Sequence, residues 1–448
     1  MTKAKILVFY DGTWCGQEAN TKTNIYQLAQ MAMNGDNPYN TKATAPYIDP
    51  IRQITACYFP GPGVGDTFLR NLNYTITAND INTNCVELYE FIANNYKPGD
   101  EIWVFGISRG AYTIRCVVGM INNCGILKNP TNQLCHDVYE KYRSRLPTHH
   151  PSHPSMAAFR TTNSHNVRTP VKFMGLFDSV GSLGLPYLTP DSGLTHHQLH
   201  DTAISSAVEK VYQALSIHDR WWGFDPCHAL PSHSRLVTPA APLPAPQFEI
   251  RERWFPGTHY DLARQRFRAL QNGANFLENA LNYVFNPLTL VVEPNNVCAD
   301  LVLKWMLEGI QQNDPQQKVI QNIGDSIQGL IAKMANATPA DTGDGDIYGN
   351  ALNYSPLGVP GGYLFRVLAI FIPRFRVALD QVFRMRDREI NLGAEVTQYT
   401  LPCKLLGERT VGDVARINNQ RYQSQTYQRF IKIPTSQLNP THPKSSPC

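Results

Sequence analysis

Trp103-Val104-Phe105-Gly106-Ile107-Ser108-Arg109-Gly110-Ala111-Tyr112 is an apolar run that ends in Gly-x-Ser-x-Gly and passes at once into helix-compatible sequence. A strand that turns sharply into a helix holds a serine at the apex of such a pattern, in the layout called a nucleophile elbow. Gly106 and Gly110 fit that layout because side chains at either position would collide across so tight a turn. A pattern this short is matched by accident on the order of once in ten chains of this length. The reading therefore rests on what surrounds Ser108.

Composition narrows the surroundings. The chain has 448 residues, 42% hydrophobic and 17% charged, which is enough apolar material for a large core. A net charge of +4 is too small to argue for nucleic acid, and no basic stripe is interleaved with aromatics, so no nucleic-acid partner is expected. Ten cysteines are scattered without a single Cys-x-x-Cys pair, which excludes zinc-ribbon and thioredoxin readings. Several lie in apolar segments, where a reduced cysteine acts as a small buried hydrophobe. Met1-Thr2-Lys3-Ala4-Lys5 runs directly into Ile6-Leu7-Val8-Phe9-Tyr10 without a signal-peptide cleavage pattern, and no apolar run reaches membrane-spanning length. The expectation is a soluble, cytoplasmic enzyme.

Five apolar, β-branched or aromatic runs read as buried strands: Ile6–Tyr10, Ile54–Phe59, Ile102–Phe105, Val171–Phe177 and Phe248–Trp254. Helical patterns fall at Asn24–Met33, Asp80–Asn95, Ala111–Asn122, Cys135–Arg145 and Ala203–Ala214. Strands alternating with helices imply a largely parallel sheet covered on both faces, with ligands beyond the carboxyl ends of the strands. Pro147–Thr169 reads as a polar loop, and Leu236–Gln247, with four prolines, as a stiff connector. From about Leu270 the pattern is helical, clearest at Asn275–Val284 and Ala299–Gln311; Asn336–Ser355 is polar, and the tail after Pro434 resembles a disordered end.

The chemistry-bearing residues fall at strand ends. Ser108 follows the third strand, Asp178 follows Gly175-Leu176-Phe177, and His259 follows the last strand in Trp254-Phe255-Pro256-Gly257-Thr258-His259. Serine, acid, histidine is the chain order of an α/β-hydrolase triad. A serine hydroxyl is a poor nucleophile until a neutral imidazole takes its proton, and a carboxylate holds that imidazole in the right tautomer. Asp191, Asp219 and Asp225 compete with Asp178, and His218 with His259. The oxyanion donors expected are the amide of Arg109 and amides of the loop after the first strand, Asp11-Gly12-Thr13.

At this point the chain resembles the α/β-hydrolase domain family that includes phospholipase effectors of bacterial type VI secretion. The blocks that carry the resemblance are Phe9-Tyr10-Asp11-Gly12-Thr13-Trp14, Thr23-Asn24-Ile25, Tyr58-Phe59-Pro60-Gly61-Pro62-Gly63-Val64-Gly65, Phe105 to Tyr112, Gly175-Leu176-Phe177-Asp178-Ser179-Val180-Gly181 and Trp254 to His259, with Leu301 to Met306 closing the matched region. The resemblance implies Ser108, Asp178 and His259 as the triad and lipid esters as substrates. The chain departs from the family after His259. Where the family usually reads Ser-Asp-Val-Gly-Gly-Gly-Tyr, it has Tyr260-Asp261-Leu262-Ala263-Arg264-Gln265-Arg266, and the lost glycines should stiffen the wall beside His259.

Other features read more plainly. His196 and His200 sit one helical turn apart, and His149, His150 and His153 form a second cluster, but neither has a fitting third ligand nearby, so no metal is expected. Gly61, Gly63 and Gly65 lack a following Gly-Lys-Ser/Thr and read as a turn beside the site. Asp261 is kept with Asp11 as support for the site; the competing reading pairs Asp261 with Arg251 or Arg253 on the surface. Gly362–Arg388 mixes apolar residues with six arginines. One reading is peripheral contact with an anionic membrane surface; the favoured one is a cap whose apolar face packs on the core while its arginines face water.

The expectation is therefore an α/β protein: an α/β-hydrolase-like, mostly parallel sheet with helices on both faces over residues 1–310, a mainly helical cap or C-terminal region over 311–433, and a disordered tail over 434–448. It should cleave carboxylic esters of a lipid-like or small-molecule substrate through an acyl-Ser108 intermediate, with no cofactor. A catalytically silent hydrolase-fold scaffold and a membrane-docking protein are the alternatives.

Overall fold

The computed structural model describes residues 3–12, 15, 22–61, 78–167, 170–180, 203–217, 219, 226–231, 248–255, 257–268, 291–338, 341, 388 and 395–396. Along the chain its main elements are β1 (Lys5–Tyr10), α1 (Asn24–Ala32), β2 (Tyr47–Asp49), β3 (Ile54–Phe59), α2 (Ala78–Asn95), β4 (Glu101–Ile107), α3 (Ser108–Cys124), α4 (Asn132–Arg143) and α5 (Pro154–Asn163). They continue with β5 (Val171–Phe177), β6 (Val208–Ser216), β7 (Glu249–Phe255), α6 (His259–Ala263), α7 (Asn296–Asn313), α8 (Ile323–Ala335) and β8 (Glu395–Val396). The strands form one sheet in the order β8-β7-β6-β5-β4-β1-β3-β2. Every neighbouring pair is parallel except β2 with β3. This is the mostly parallel α/β fold that the strand–helix alternation implies.

The alternation of side chains along the strands builds two cores. Leu7, Phe9, Trp103, Phe105 and Phe173 gather on one face with Leu28 of α1, Trp305 of α7 and Leu330 of α8. Ile6, Val8, Val104 and Met174 gather on the other with Leu88 of α2, Ile114 of α3 and Val138 of α4. With both faces covered, the central strands carry apolar residues at consecutive positions, as parallel strands do. The first core also contains Val319, Ile320, Ile323 and Met334, so packing continues past residue 310 into α8.

Two expectations are corrected. Ala203–Ala214 is not a helix: Ala203–Ile204 is a short strand and β6 is a central strand of the sheet. Val208, Val211, Tyr212 and Leu215 have helical spacing, but they are buried because β6 has a strand on each side and helices over both faces. Pro147–Thr169 is not a plain loop, since it holds a 3-10 turn at Pro147–His149 and α5. Pro154 at the first helical turn and the His153 ring accepting from the Ser155 amide at 3.2 Å start that helix. Leu236–Gln247, Asn275–Val284, most of Asn336–Ser355 and the chain after Pro434 lie outside the described residues.

The register sets where chemistry can occur. Ile107 at the end of β4 pairs with Phe177 at the end of β5, Phe177 with Ala214 of β6, and Ser216 of β6 with Phe255 at the end of β7. Ser108 and Asp178 are therefore each one residue past the same rung.

Candidate active site

Ser108 has φ +56°, in the left-handed region, at the junction of β4 and α3. Such a conformation costs an L-residue roughly 1–2 kcal/mol, and the neighbouring glycines leave the room it needs. A Cβ on Gly106 would lie 2.9 Å from the Ala111 backbone, and one on Gly110 would run into the carbonyl oxygens of Asp11 and Tyr10. The strand can turn this sharply only because both positions are bare.

The three residues singled out from strand order meet in one hydrogen-bonded chain. His259 Nε2 lies 2.8 Å from Ser108 Oγ, and His259 Nδ1 lies 2.7 Å from Asp178 Oδ2. All three are almost completely buried. Asp178 also has a left-handed backbone, φ +43°, and its amide donates to the Ala214 carbonyl at 2.7 Å. Its carboxylate accepts from the Ser216 amide and hydroxyl, both at 3.1 Å. Asp219 does not replace it: its carboxylate accepts from the His259 backbone amide at 3.0 Å. The other rivals, Asp191, Asp225 and His218, lie outside the described residues.

One partner of Asp178 was not anticipated. Arg388 donates from Nη1 to Oδ1 at 2.6 Å and from Nη2 to Oδ2 at 2.9 Å, and its Nη1 also reaches the Ser216 carbonyl at 2.9 Å. Burial pushes the Asp178 carboxyl up, but the Arg388 charge and the His259 hydrogen bond outweigh it and hold the group well below the usual carboxylate range. Burial raises Asp219 instead, against the partial opposition of Arg388 and His259. Reading the arginines of Gly362–Arg388 as facing water is thus wrong for Arg388, which is 4% exposed. The rest of that segment lies outside the described residues. A single arginine 210 residues after Asp178 carries no sequence signal of this contact.

The two supporting carboxylates hold loops. Asp11 is buried and accepts from Thr23 Oγ1 at 2.5 Å, Tyr58 OH at 2.7 Å and the Gly12 amide at 2.8 Å. Burial raises its carboxyl, and those hydrogen bonds pull it partly back. Asp261 accepts from the Thr258 amide at 2.7 Å and from the Asn295 amide at 2.7 Å, tying the start of α6 to the start of α7. Asp261 forms no surface bridge with Arg251 or Arg253: Arg251 pairs with Glu249 at 2.9 Å and Arg253 lies over the Trp305 ring.

Where the family motif has glycines, the chain forms the short helix α6 and then places Arg264 at φ +56°. The Arg264 guanidinium holds Asn24 Oδ1 at 3.2 Å, Asn296 Oδ1 at 3.0 Å and the Asp300 carboxylate. Asn24 in turn donates to the carbonyls of Leu262 at 2.8 Å and Ala299 at 2.9 Å. That explains Thr23-Asn24-Ile25: Thr23 caps α1 and binds Asp11, while Asn24 binds the element that carries His259.

Of the expected oxyanion donors, Arg109 lies in the first turn of α3, where amides lack an acceptor on their own helical ladder. Gly12 sits against Ser108, since a Cβ there would be 3.3 Å from the serine Cβ, yet its amide is turned to Asp11. Thr13 lies outside the described residues. Among the described residues no three His, Cys, Asp or Glu side chains gather as a metal site; His196 and His200 lie outside them. Among the described residues the cysteines are free, nearly all buried, and no helix is long and apolar enough to cross a membrane.

Comparison with known proteins gives the following likenesses. The uncharacterized protein YEL023C of Saccharomyces cerevisiae is 28% identical over 235 residues, 48% of this chain and 31% of that protein, so the chain spans under a third of the curated relative it matches. A structure of the Tle1 effector bound to the VgrG spike of the type 6 secretion system aligns with 73% of this chain and 76% of that one, at 14% identity and a TM-score of 0.33. An uncharacterized protein from Pseudomonas aeruginosa aligns with 85% of this chain and 59% of its own, at 15% identity and a TM-score of 0.30. The family model for the type VI secretion phospholipase effector Tle1-like catalytic domain matches residues 4–309, and the chain belongs to that family.

Proposed function

We propose that the chain is a serine hydrolase that cleaves carboxylic esters of lipid-like substrates, of the phospholipase or esterase type, through an acyl-Ser108 intermediate. The observation that carries this reading is the unbroken chain Ser108 Oγ–His259 Nε2, 2.8 Å, and His259 Nδ1–Asp178 Oδ2, 2.7 Å, at the carboxyl ends of parallel strands. Membership of a phospholipase effector family supports the substrate class.

In this mechanism Asp178 accepts from Nδ1–H, which leaves Nε2 as the basic nitrogen facing the serine. His259 takes the Ser108 proton as Oγ attacks the ester carbonyl, and Asp178 stabilises the imidazolium so formed. The imidazolium then gives its proton to the departing alkoxide, and water attacks the acyl-enzyme by the same route in reverse. The oxyanion is held by the Arg109 amide and by an amide of the loop after β1. With the Gly12 amide turned to Asp11, Thr13 is the second donor of this scheme. The helix α3 adds the positive end of its dipole at Ser108.

A serine-directed fluorophosphonate probe tests the reaction, and phospholipids of varied acyl length test the substrate class. Labelling of the wild type that vanishes in Ser108→Ala is expected. Absence of wild-type labelling would favour a silent scaffold, and labelling that survives the substitution would overturn Ser108 as the nucleophile.

A further inference from the structure

We propose that Arg388 is a positioning residue for this reaction: it fixes the plane of the Asp178 carboxylate against His259 and supplies that carboxylate with a buried counter-charge. The inference rests on the serine-hydrolase reading and adds to it a residue from beyond positions 4–309, the span of the family model.

The geometry is that of a clamp. Arg388 meets each Asp178 oxygen with a different nitrogen, at 2.6 and 2.9 Å, a forked match that fixes the plane of the carboxylate. The same guanidinium holds Ser216, whose amide and hydroxyl also bind Asp178. Oδ2 is thereby shared between Arg388 Nη2 and the imidazole Nδ1, while Oδ1 is held by Nη1. Arg388 is not a stray contact of a loose tail. Seven residues further on, β8 pairs in parallel with β7 at Arg253 and Trp254, so the chain beyond 309 is built into the sheet that carries the site.

Charge gives the second part. His259 faces Asp178 through Nδ1, Asp219 through its backbone amide, Ser108 through Nε2 and the edge of the Tyr260 ring at 5.9 Å. The Arg109 charge is felt at Tyr260. Arg388 acts on both carboxylates, since its charge lowers Asp178 and Asp219 alike. Removing it takes away the charge that holds the Asp178 carboxyl low and lets that carboxyl rise toward its ordinary range.

The test compares the full chain as wild type, Arg388→Gln and Arg388→Lys, following kcat/KM for an ester and the rate of fluorophosphonate labelling from pH 4 to 9. Arg388→Gln loses both the fork and the charge that lowers Asp178, and is expected to lower the plateau and to move the acid limb up as the Asp178 carboxyl rises. Arg388→Lys keeps the charge and loses the fork, so its acid limb should stay in place while its rate falls on the order of 10–100-fold at every pH. A folded Arg388→Gln protein with the wild-type limb and rate overturns the inference. Should Arg388→Gln not fold, the lysine variant decides: wild-type rate at every pH overturns the proposal. Failure of the wild type itself to label overturns the hydrolase reading, which is a distinct result.

Discussion

Gly110 lies so close beneath the carbonyl oxygen of Asp11 that a methyl group on it would overlap that oxygen. The turn that presents Ser108 and the loop that follows β1 are therefore fitted to one another, and neither can move alone.

Gly110→Ala is the substitution that breaks this fit. The added Cβ must displace either the Asp11 loop or the start of α3. Overpacking of this kind costs about 1–3 kcal/mol. The denaturation midpoint should fall without a change in slope, and labelling of Ser108 should fall further than the stability loss explains. An unchanged midpoint would mean the loop yields freely.

Ser108→Gly and Ser108→Ala separate strain from chemistry. Both remove the Oγ that binds His259, so both should abolish labelling. Only glycine relieves φ +56°, and relief of a left-handed residue is worth about 1 kcal/mol. The glycine variant should melt above the alanine variant. If alanine matches or exceeds it, the turn stores no strain at Ser108.

Asn24→Ala tests the tie between α1 and the His259 element. It removes the donors to the Leu262 and Ala299 carbonyls and the acceptor for Arg264. Leaving buried groups unsatisfied costs about 1–3 kcal/mol each. Thermal unfolding should report a loss in that range, and kcat should fall because α6 begins at His259. Full activity with lowered stability would show that the remaining ties of this element, through Asp261, Arg264 and the Asp219 contact of His259, suffice to position it.

The sequence made the strand ends legible and the packing around them illegible, for one physical reason. Ser108, Asp178 and His259 each follow an apolar run, and a parallel sheet brings such ends together whatever the loops do. β6 was misread because Val208, Val211, Tyr212 and Leu215 repeat at helical spacing, and only burial on both faces makes that run a strand. With β6 misplaced, Ser216 could not be seen as a partner of Asp178. Asp11 and Asp261 were legible as supports but not by mechanism, since their ties run through the backbone amides of Gly12, Thr258 and Asn295. Such ties leave no trace in residue type.

Asp178→Asn should lose stability as well as activity, in a way that depends on pH. The amide cannot hold His259 in its working tautomer, and kcat should fall about 10⁴-fold. It also leaves Arg388 buried without its carboxylate, a break that costs about 3–5 kcal/mol. The Asp178 carboxyl lies below its usual value in the folded protein. Its contribution is therefore fully present above the unfolded carboxylate value of about 3.9 and is lost as pH falls from there through the folded value. Asp11 and Asp261, which burial raises, are common to both proteins and cancel in the difference. Asp219 feels the charge of Asp178 and contributes a smaller opposing change. Denaturant unfolding of both proteins at pH 7 and at successive steps below pH 5 should show a gap that is wide at neutral pH and narrows below about pH 4. A gap of constant width down to the acid transition would mean that Asp178 and Arg388 are not paired as a carboxylate and a guanidinium.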